Sequence, residues 1–294
     1  MRINAYILAA DPAWIEASVL SYYDTVDKIV VSYDETKTSW NGTPIAVDEC
    51  LTRLRAIDRN NKMCYSPGQY ARRGPTPMEN DTYQRQCALD EAGQDADWVL
   101  QIDTDEVLPN SQELLQMLHY ADTQGIPAVE WPMRVLFHTL ANGQFLEVCA
   151  ANGADRFEYP GPVAVRPGAK LKDARRAEGA FLRPVVAGDN QSLQVNHPVG
   201  SEESRVVLEN AASAVLHRSW ARSPESVRSK VASWSHNEGL RSQIFYHLRW
   251  RPAPYLWRVT RDFHPFARGL WPALKPCQAA GLPGPQASEK QVAL

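Results

Sequence analysis

The sequence predicts an α/β fold, a mostly parallel sheet of Rossmann type flanked by helices. Three observations predict it. Short apolar, β-branched runs alternate with helical periodicity about three times in the first hundred residues. Aspartates follow the ends of these runs at Asp11, Asp34 and Asp103/Asp105, where open parallel sheets collect ligand-binding groups. Beyond residue 122 the alternation gives way to short strand-like runs, which fit a mixed or antiparallel extension of the sheet.

Residues 3–9 read as the first buried strand. Asp11-Pro12 opens a helix whose apolar face is Trp14, Ile15, Val19, Leu20 and Tyr23. Residues 28–33 form a second strand, followed by a polar loop through Asn41-Gly42. Thr43 is placed to cap a helix over 45–57 that faces inward with Val47, Leu51 and Leu54. A short strand at 62–65, a loop at 67–77 rich in Pro, Gly and Arg, and a helix over 80–92 follow. The run Trp98-Val99-Leu100-Gln101-Ile102 is a strand, and Leu108-Pro109-Asn110-Ser111 turns into a helix ending near 122. Residues 128–138 read as one long strand interrupted by Pro132. Shorter strands are expected at 145–148, 163–166, 193–196 and 214–217. Ser223-Pro224-Glu225 starts a helix that runs to about 249, and Pro252 and Pro254 end it. Residues 276–294 are poor in large apolar side chains and read as a mobile tail.

The 294 residues are 44% hydrophobic, enough for one large core. A net charge of −3 provides no global field for nucleic acid. The five cysteines are scattered, with no Cys-x-x-Cys, which fits reduced thiols in a cytosolic protein better than a zinc ribbon or disulfide framework. The first ten residues do not read as a secretory signal, and no apolar run reaches the roughly 18 to 20 residues needed to cross a bilayer. Between 248 and 274, arginines mix with Trp250, Tyr255, Trp257, Phe263 and Trp271, a composition suited to anionic lipid headgroups. Pro252, Pro254 and Pro265 break any long amphipathic helix there. The preferred reading is an ordinary packed terminal segment, with peripheral membrane contact left open.

Asp103-Thr104-Asp105-Glu106 is the chemical centre of the sequence. Period-two alternation would set Asp103 and Asp105 on one side of a strand end. Paired carboxylates suit Mg²⁺ or Mn²⁺, which prefer oxygen ligands and leave positions for phosphate. The bland alternative is a solvated acidic turn.

With the run-in Gln84-Arg85-Gln86-Cys87-Ala88-Leu89 and the late stretch Val215-Leu216-His217-Arg218-Ser219-Trp220, the chain resembles GT-A glycosyltransferases, most closely the family 2 type of bacterial sugar transferases. The likeness covers roughly residues 1 to 240. It implies a UDP- or GDP-linked sugar donor, a saccharide or lipid-linked acceptor of cell-envelope polysaccharide type, and a cytoplasmic enzyme, peripheral on the inner membrane face if its acceptor is lipid-linked. It divides the chain into a nucleotide-sugar-binding half (1–122), an acceptor-binding half (123–222), a helical segment (223–275) and the tail (276–294). The matching donor-site positions are Asp11, Asp34 at the base or ribose, Arg85 at the diphosphate, Asp103 and Thr104. Asp103, Asp105 and His217 match the positions that hold Mn²⁺ or Mg²⁺. The acceptor's base in an inverting transfer is left open among Asp189, Glu202, Glu203 and His197. Two departures stand out: the loop after Asp34 is longer than the family's, and no clear acidic motif precedes His217.

Two other classes share parts of the pattern. Asp103-Thr104-Asp105-Glu106-Val107 fits the haloacid-dehalogenase-like phosphatase string, with Asp103 as nucleophile, but it follows at least two earlier strand–helix units and no Asp-Asp pair occurs. A non-catalytic carbohydrate-binding relative would keep the fold and a vestigial site.

Overall fold

The computed structural model describes residues 1–233, 244–263 and 271–277. The chain opens with β1 (Ile3–Leu8), α1 (Ile15–Leu20), β2 (Lys28–Asp34), α2 (Val47–Ile57), β3 (Met63–Gly68), α3 (Pro77–Ala92) and β4 (Trp98–Gln101). A two-residue strand β5 (Glu106–Val107), α4 (Ser111–Gln124), β6 (Ala128–Glu130), β7 (Met133–Thr139), β8 (Phe145–Cys149) and β9 (Pro162–Val165) follow. Then come the hairpin β10 (Leu171–Asp173) and β11 (Arg176–Ala177), β12 (Phe181–Val186), β13 (Glu203–Leu208), β14 (Val215–His217), α5 (Pro224–Ser233) and β15 (Ala273–Pro276).

The main sheet has eight strands in the order β13-β12-β6-β9-β4-β1-β2-β3. All run parallel except β9, which is antiparallel to β4 and β6. This is the mostly parallel α/β sheet that the alternation predicts. Side chains alternate across it as the pleat requires. Ala5, Ile7, Ile29 and Val31 face α1, α2 and α4, while Tyr6, Leu8, Val30 and Val99 face Ala88, Leu89 and Ala92 of α3. Helices therefore cover both faces, and the strands read as continuous apolar runs because both faces are dry.

Pro132 does more than interrupt a strand. It passes the chain from β6 in the main sheet to β7 in a second sheet, ordered β15-β8-β7-β14-β5. Phe137 and Leu146 of that sheet pack with Val227, Tyr246, Trp250, Trp257 and Leu274, so the carboxyl-terminal segment is anchored on it. Strand β5 begins one residue after Asp105, and its Glu106 pairs with His217. The two sheets thus meet at the acidic turn.

Several local expectations are corrected. Residues 193–196 form turns rather than a strand, because the Asp189 carboxylate accepts the N–H groups of Gln191 and Ser192 and curls the chain. Thr43 does not cap α2, which starts at Val47; Thr43 instead closes its own loop with Ser39 and Asn41. Helix α3 starts earlier than the periodicity indicates, because Thr76 and Glu79 form a reciprocal capping box with Pro77 at the first turn. Strands β12 and β13 were not anticipated. Pro184 lies opposite Val206 of β13, beyond the end of three-residue β6 on the other side of β12. Pro276, expected to begin a tail, closes a strand paired to β8. Of the helix expected over 224–249, the structure shows α5 over Pro224–Ser233 and a π-helical stretch at Phe245–Trp250; residues 234–243, including Trp234, lie outside the described residues, as do 264–270 and 278–294. No helix among the described residues is long and apolar enough to cross a membrane.

Candidate active site

Strands β4, β1 and β2 are adjacent and parallel, so Asp103, Asp11 and Asp34 share one edge of the sheet, the carboxyl edge. The strand carrying the acidic motif stops at Gln101. Residues 103–106 form a turn closed by Glu106 N–H donating to the Asp103 carbonyl at 3.0 Å. Strand alternation therefore does not apply to Asp103 and Asp105, and the two carboxylates meet different partners.

Asp103 accepts two hydrogen bonds from the Arg85 fork, at 2.8 and 3.1 Å. Arg85 is held from behind by Asp81, one helical turn earlier, at 2.7 Å. Burial acts to raise the Asp103 carboxyl, but Arg85 and Arg175 outweigh it and hold it below the ordinary range. Arg85, which the resemblance places at the diphosphate, is in this structure a buried clamp on Asp103. Helix α3 makes this possible by continuing its apolar stripe, Ala88, Leu89 and Ala92, into a buried polar one, Asn80, Asp81, Gln84 and Arg85.

Glu106 has no exposure and accepts both Nη groups of Arg175, at 2.7 and 2.6 Å, and the Asp103 N–H at 3.0 Å. Arg175 sits at the tip of the β10–β11 hairpin. Its carbonyl receives the buried Gln101 amide at 2.9 Å, which ties the hairpin to the end of β4.

Asp105 faces the carboxyl-terminal elements. Its Oδ2 accepts Arg222 Nη2 at 2.6 Å and Lys230 Nζ at 3.2 Å, and His217 Nε2 stands 3.6 Å away. Arg222 also pairs through Nη1 with Asp11. The Asp105 carbonyl accepts the Arg218 N–H at 2.8 Å, which lays the segment after β14 over the turn. Ser223 accepts the Ser226 N–H as N-cap of α5, and that helix delivers Lys230. Burial acts to raise the Asp105 carboxyl, and Lys230 and His217 drive it far below its usual value instead. The reverse holds for His217: burial lowers it, and Asp105 more than restores it, so the imidazole is raised. Its Nδ1 is buried without a hydrogen-bond partner among the described residues. Thr104 lies buried between the two aspartates.

The three expected metal ligands are therefore matched to cationic side chains. Asp103 is forked by Arg85, Asp105 is shared by Arg222 and Lys230, and His217 Nε2 faces the same Asp105 oxygen. Among the described residues no group of three or more His, Cys, Asp or Glu side chains is arranged to hold a metal ion.

Asp34 ends β2 with 3% exposure. It accepts the N–H groups of Tyr70 at 2.7 Å, Ala71 at 3.1 Å and Thr36 at 2.9 Å, besides the Thr36 hydroxyl. Burial acts to raise it, and these bonds bring it below the ordinary range. Asp34→Ala is expected to lower the unfolding free energy by about 2 to 3 kcal/mol, because the loop N–H groups lose their acceptor. Urea denaturation checks this, and an unchanged midpoint would show that the loop holds without it.

The expected acceptor bases lie elsewhere. Glu203 opens β13 and pairs with Phe181 at the start of β12, so Glu202 and Glu203 stand at the amino edge of the sheet, opposite Asp103. Glu203 is buried between Arg183 and Arg205, while Glu202 is exposed. His197 is exposed and bonded to the Pro198 carbonyl. Asp189 follows β12 at the carboxyl edge, but it is bonded to Tyr159 and lies three strand spacings from β4, roughly 14 Å at about 4.8 Å each. The structure gathers Asp11, Arg85, Asp103, Thr104, Asp105 and His217, and does not bring these four to them. It adds Asp81, Glu106, Arg175, Arg222 and Lys230.

No protein-family description matches the chain, and no curated protein matches it. Among solved structures it is similar to 4-diphosphocytidyl-2C-methyl-D-erythritol synthase from Anaerococcus prevotii DSM 20548. The identity is 16% and the TM-score 0.31, over 56% of this chain and 70% of that one.

Proposed function

We propose that the chain is a glycosyltransferase that uses a nucleotide-sugar donor, UDP- or GDP-linked. One observation supports this above the others. Asp11, Asp34 and the 103–106 turn share the carboxyl edge of a parallel sheet, interleaved with Arg85, Arg175, Arg222 and Lys230. Nucleotides bind at such edges. A nucleoside diphosphate leaves with concentrated negative charge, which cations already in place stabilise as it develops.

The donor lies along the ends of β4, β1 and β2, with Asp34 shaping the loops around the base. The acceptor, a saccharide or a lipid-linked one, enters over Trp220. That ring stands 5.5 Å from Lys230 Nζ and lines a cleft with Val135, Phe137, Glu158 and Arg249. The acceptor hydroxyl attacks the anomeric carbon from the side opposite the diphosphate, and a carboxylate of the cleft takes its proton. Exposed Tyr255, Val259 and Phe263 beside Arg251 and Arg258 favour the lipid-linked case. The phosphatase alternative needs Asp103 free to attack phosphorus, and both its oxygens are hydrogen-bonded to Arg85.

A thermal-shift panel of UDP, GDP, CDP, ADP and dTDP tests the reading. A bound diphosphate at a hundred times its dissociation constant adds about 2.7 kcal/mol of stability. The matching sugar nucleotides should then be consumed in the presence of acceptor. A panel in which no nucleoside diphosphate moves the melting temperature would end the proposal.

A further inference from the structure

We propose that Arg222 and Lys230 supply, from the chain itself, the positive charge on the nucleoside diphosphate that a divalent ion would otherwise provide, so that nucleotide binding needs no metal. The inference rests on the nucleotide-sugar reading above and concerns the same site.

Charge balance is the first support. Asp11, Asp81, Asp103, Asp105 and Glu106 are paired with four basic side chains, Arg85, Arg175, Arg222 and Lys230. Little negative charge is left to attract a dication. A metal on Asp105 would also have to displace a guanidinium at 2.6 Å and an ammonium at 3.2 Å from one buried carboxylate oxygen. Separating such buried pairs is strongly unfavourable.

The second support is how the two cations are held. Asp11 and Asp105 fix the Arg222 fork, and Asp105 fixes Lys230. Each also directs one further donor to the same neutral acceptor, the Ser219 carbonyl: Arg222 Nε at 3.3 Å and Lys230 Nζ at 3.0 Å. A phosphate oxygen is a stronger partner for these donors than a peptide carbonyl. The carboxylates thus position the cations, and the shared carbonyl marks where a diphosphate oxygen exchanges in. Lys230 is 21% exposed at its side chain, and Asp11 and Asp103 are 28% exposed, so this part of the site is open to an incoming ligand.

Titration calorimetry on the full chain tests the proposal, with UDP, GDP, CDP, ADP and dTDP in EDTA and then in Mn²⁺. The preferred diphosphate should bind in EDTA within about twofold of its affinity in Mn²⁺. Lys230→Met and Arg222→Met should each weaken it about tenfold or more in EDTA, as expected for loss of one charge-assisted contact, with no recovery in Mn²⁺. Lys230→Arg, which keeps the charge, should stay within about threefold of wild type. If Arg222→Met does not fold, Lys230→Met, on a partly exposed side chain, carries the test. Binding that appears only with Mn²⁺, or a Lys230→Met variant that binds as wild type, overturns the proposal and leaves the nucleotide-sugar reading standing. Binding of no diphosphate in either buffer overturns both.

Discussion

Glu106→Ala is expected to lower the unfolding free energy by about 3 to 5 kcal/mol, the cost of leaving one member of a buried ion pair without its partner. Glu106 is fully buried, and both of its oxygens are engaged by Arg175, which is itself 6% exposed. Burial acts to lower the Arg175 guanidinium, and Glu106 and Asp103 raise it above its usual value; with Glu106 removed, the guanidinium is still too basic to shed its proton and is left as a buried charge without its main partner. The same substitution strips the Asp103 N–H of its acceptor and loosens the turn that orients both aspartates. Glu106→Gln should lose less, since its carbonyl oxygen still accepts from Arg175. Guanidinium chloride denaturation of both variants checks the ordering. A loss under about 1 kcal/mol for the alanine variant, the scale of an exposed pair, would mean that the pair is not isolated from solvent.

The second large effect is expected at Asp105. Asp105→Ala removes the anion shared by Arg222, Lys230 and His217, at a cost of about 3 kcal/mol. It should also change the pH dependence of stability. The Asp105 carboxyl is depressed in the fold, so its contribution is present above its unfolded value, about pH 3.9, and is lost on acidification below that. His217 is raised, so its contribution is complete below its unfolded value, about pH 6.5, and is lost as pH climbs through the folded value. Wild-type protein should therefore lose stability on going from about pH 6 to pH 8, and Asp105→Ala should flatten that slope. Melting temperatures across this range decide it. Parallel slopes for the two proteins would remove the His217–Asp105 coupling.

Much of the fold was legible because β1, β2 and β4 are buried on both faces and read as unbroken apolar runs between helical patterns. Strands β12 and β13 were not, because Pro184 reads as a breaker and β13, at the sheet edge, opens on the polar run Glu203-Ser204-Arg205. The crossing at Pro132 was seen as an interruption, but one sequence does not say that the chain changes sheets there. Within the site, Asp11, Asp103 and Asp105 were legible as carboxylates after strands. Asp81 could have been found four residues before Arg85 on the same helical face. The other cations left no spacing to read. Arg175 meets Glu106 across 69 residues, and Arg222 and Lys230 meet Asp105 across 117 and 125. Their roles follow from tertiary closure alone.

The pairing of Asp11 with Arg222 spans 211 residues of chain. Contacts of such separation are the slow ones to form, since the loop must close before they give anything back. During synthesis the strands that present Asp11 and Asp105 emerge long before Arg222 and Lys230 do. The nascent amino-terminal part therefore carries Asp11 and Asp105 without Arg222 and Lys230 until the last third of the protein arrives. Acquisition of the native state and assembly of the site are in this way the same late event.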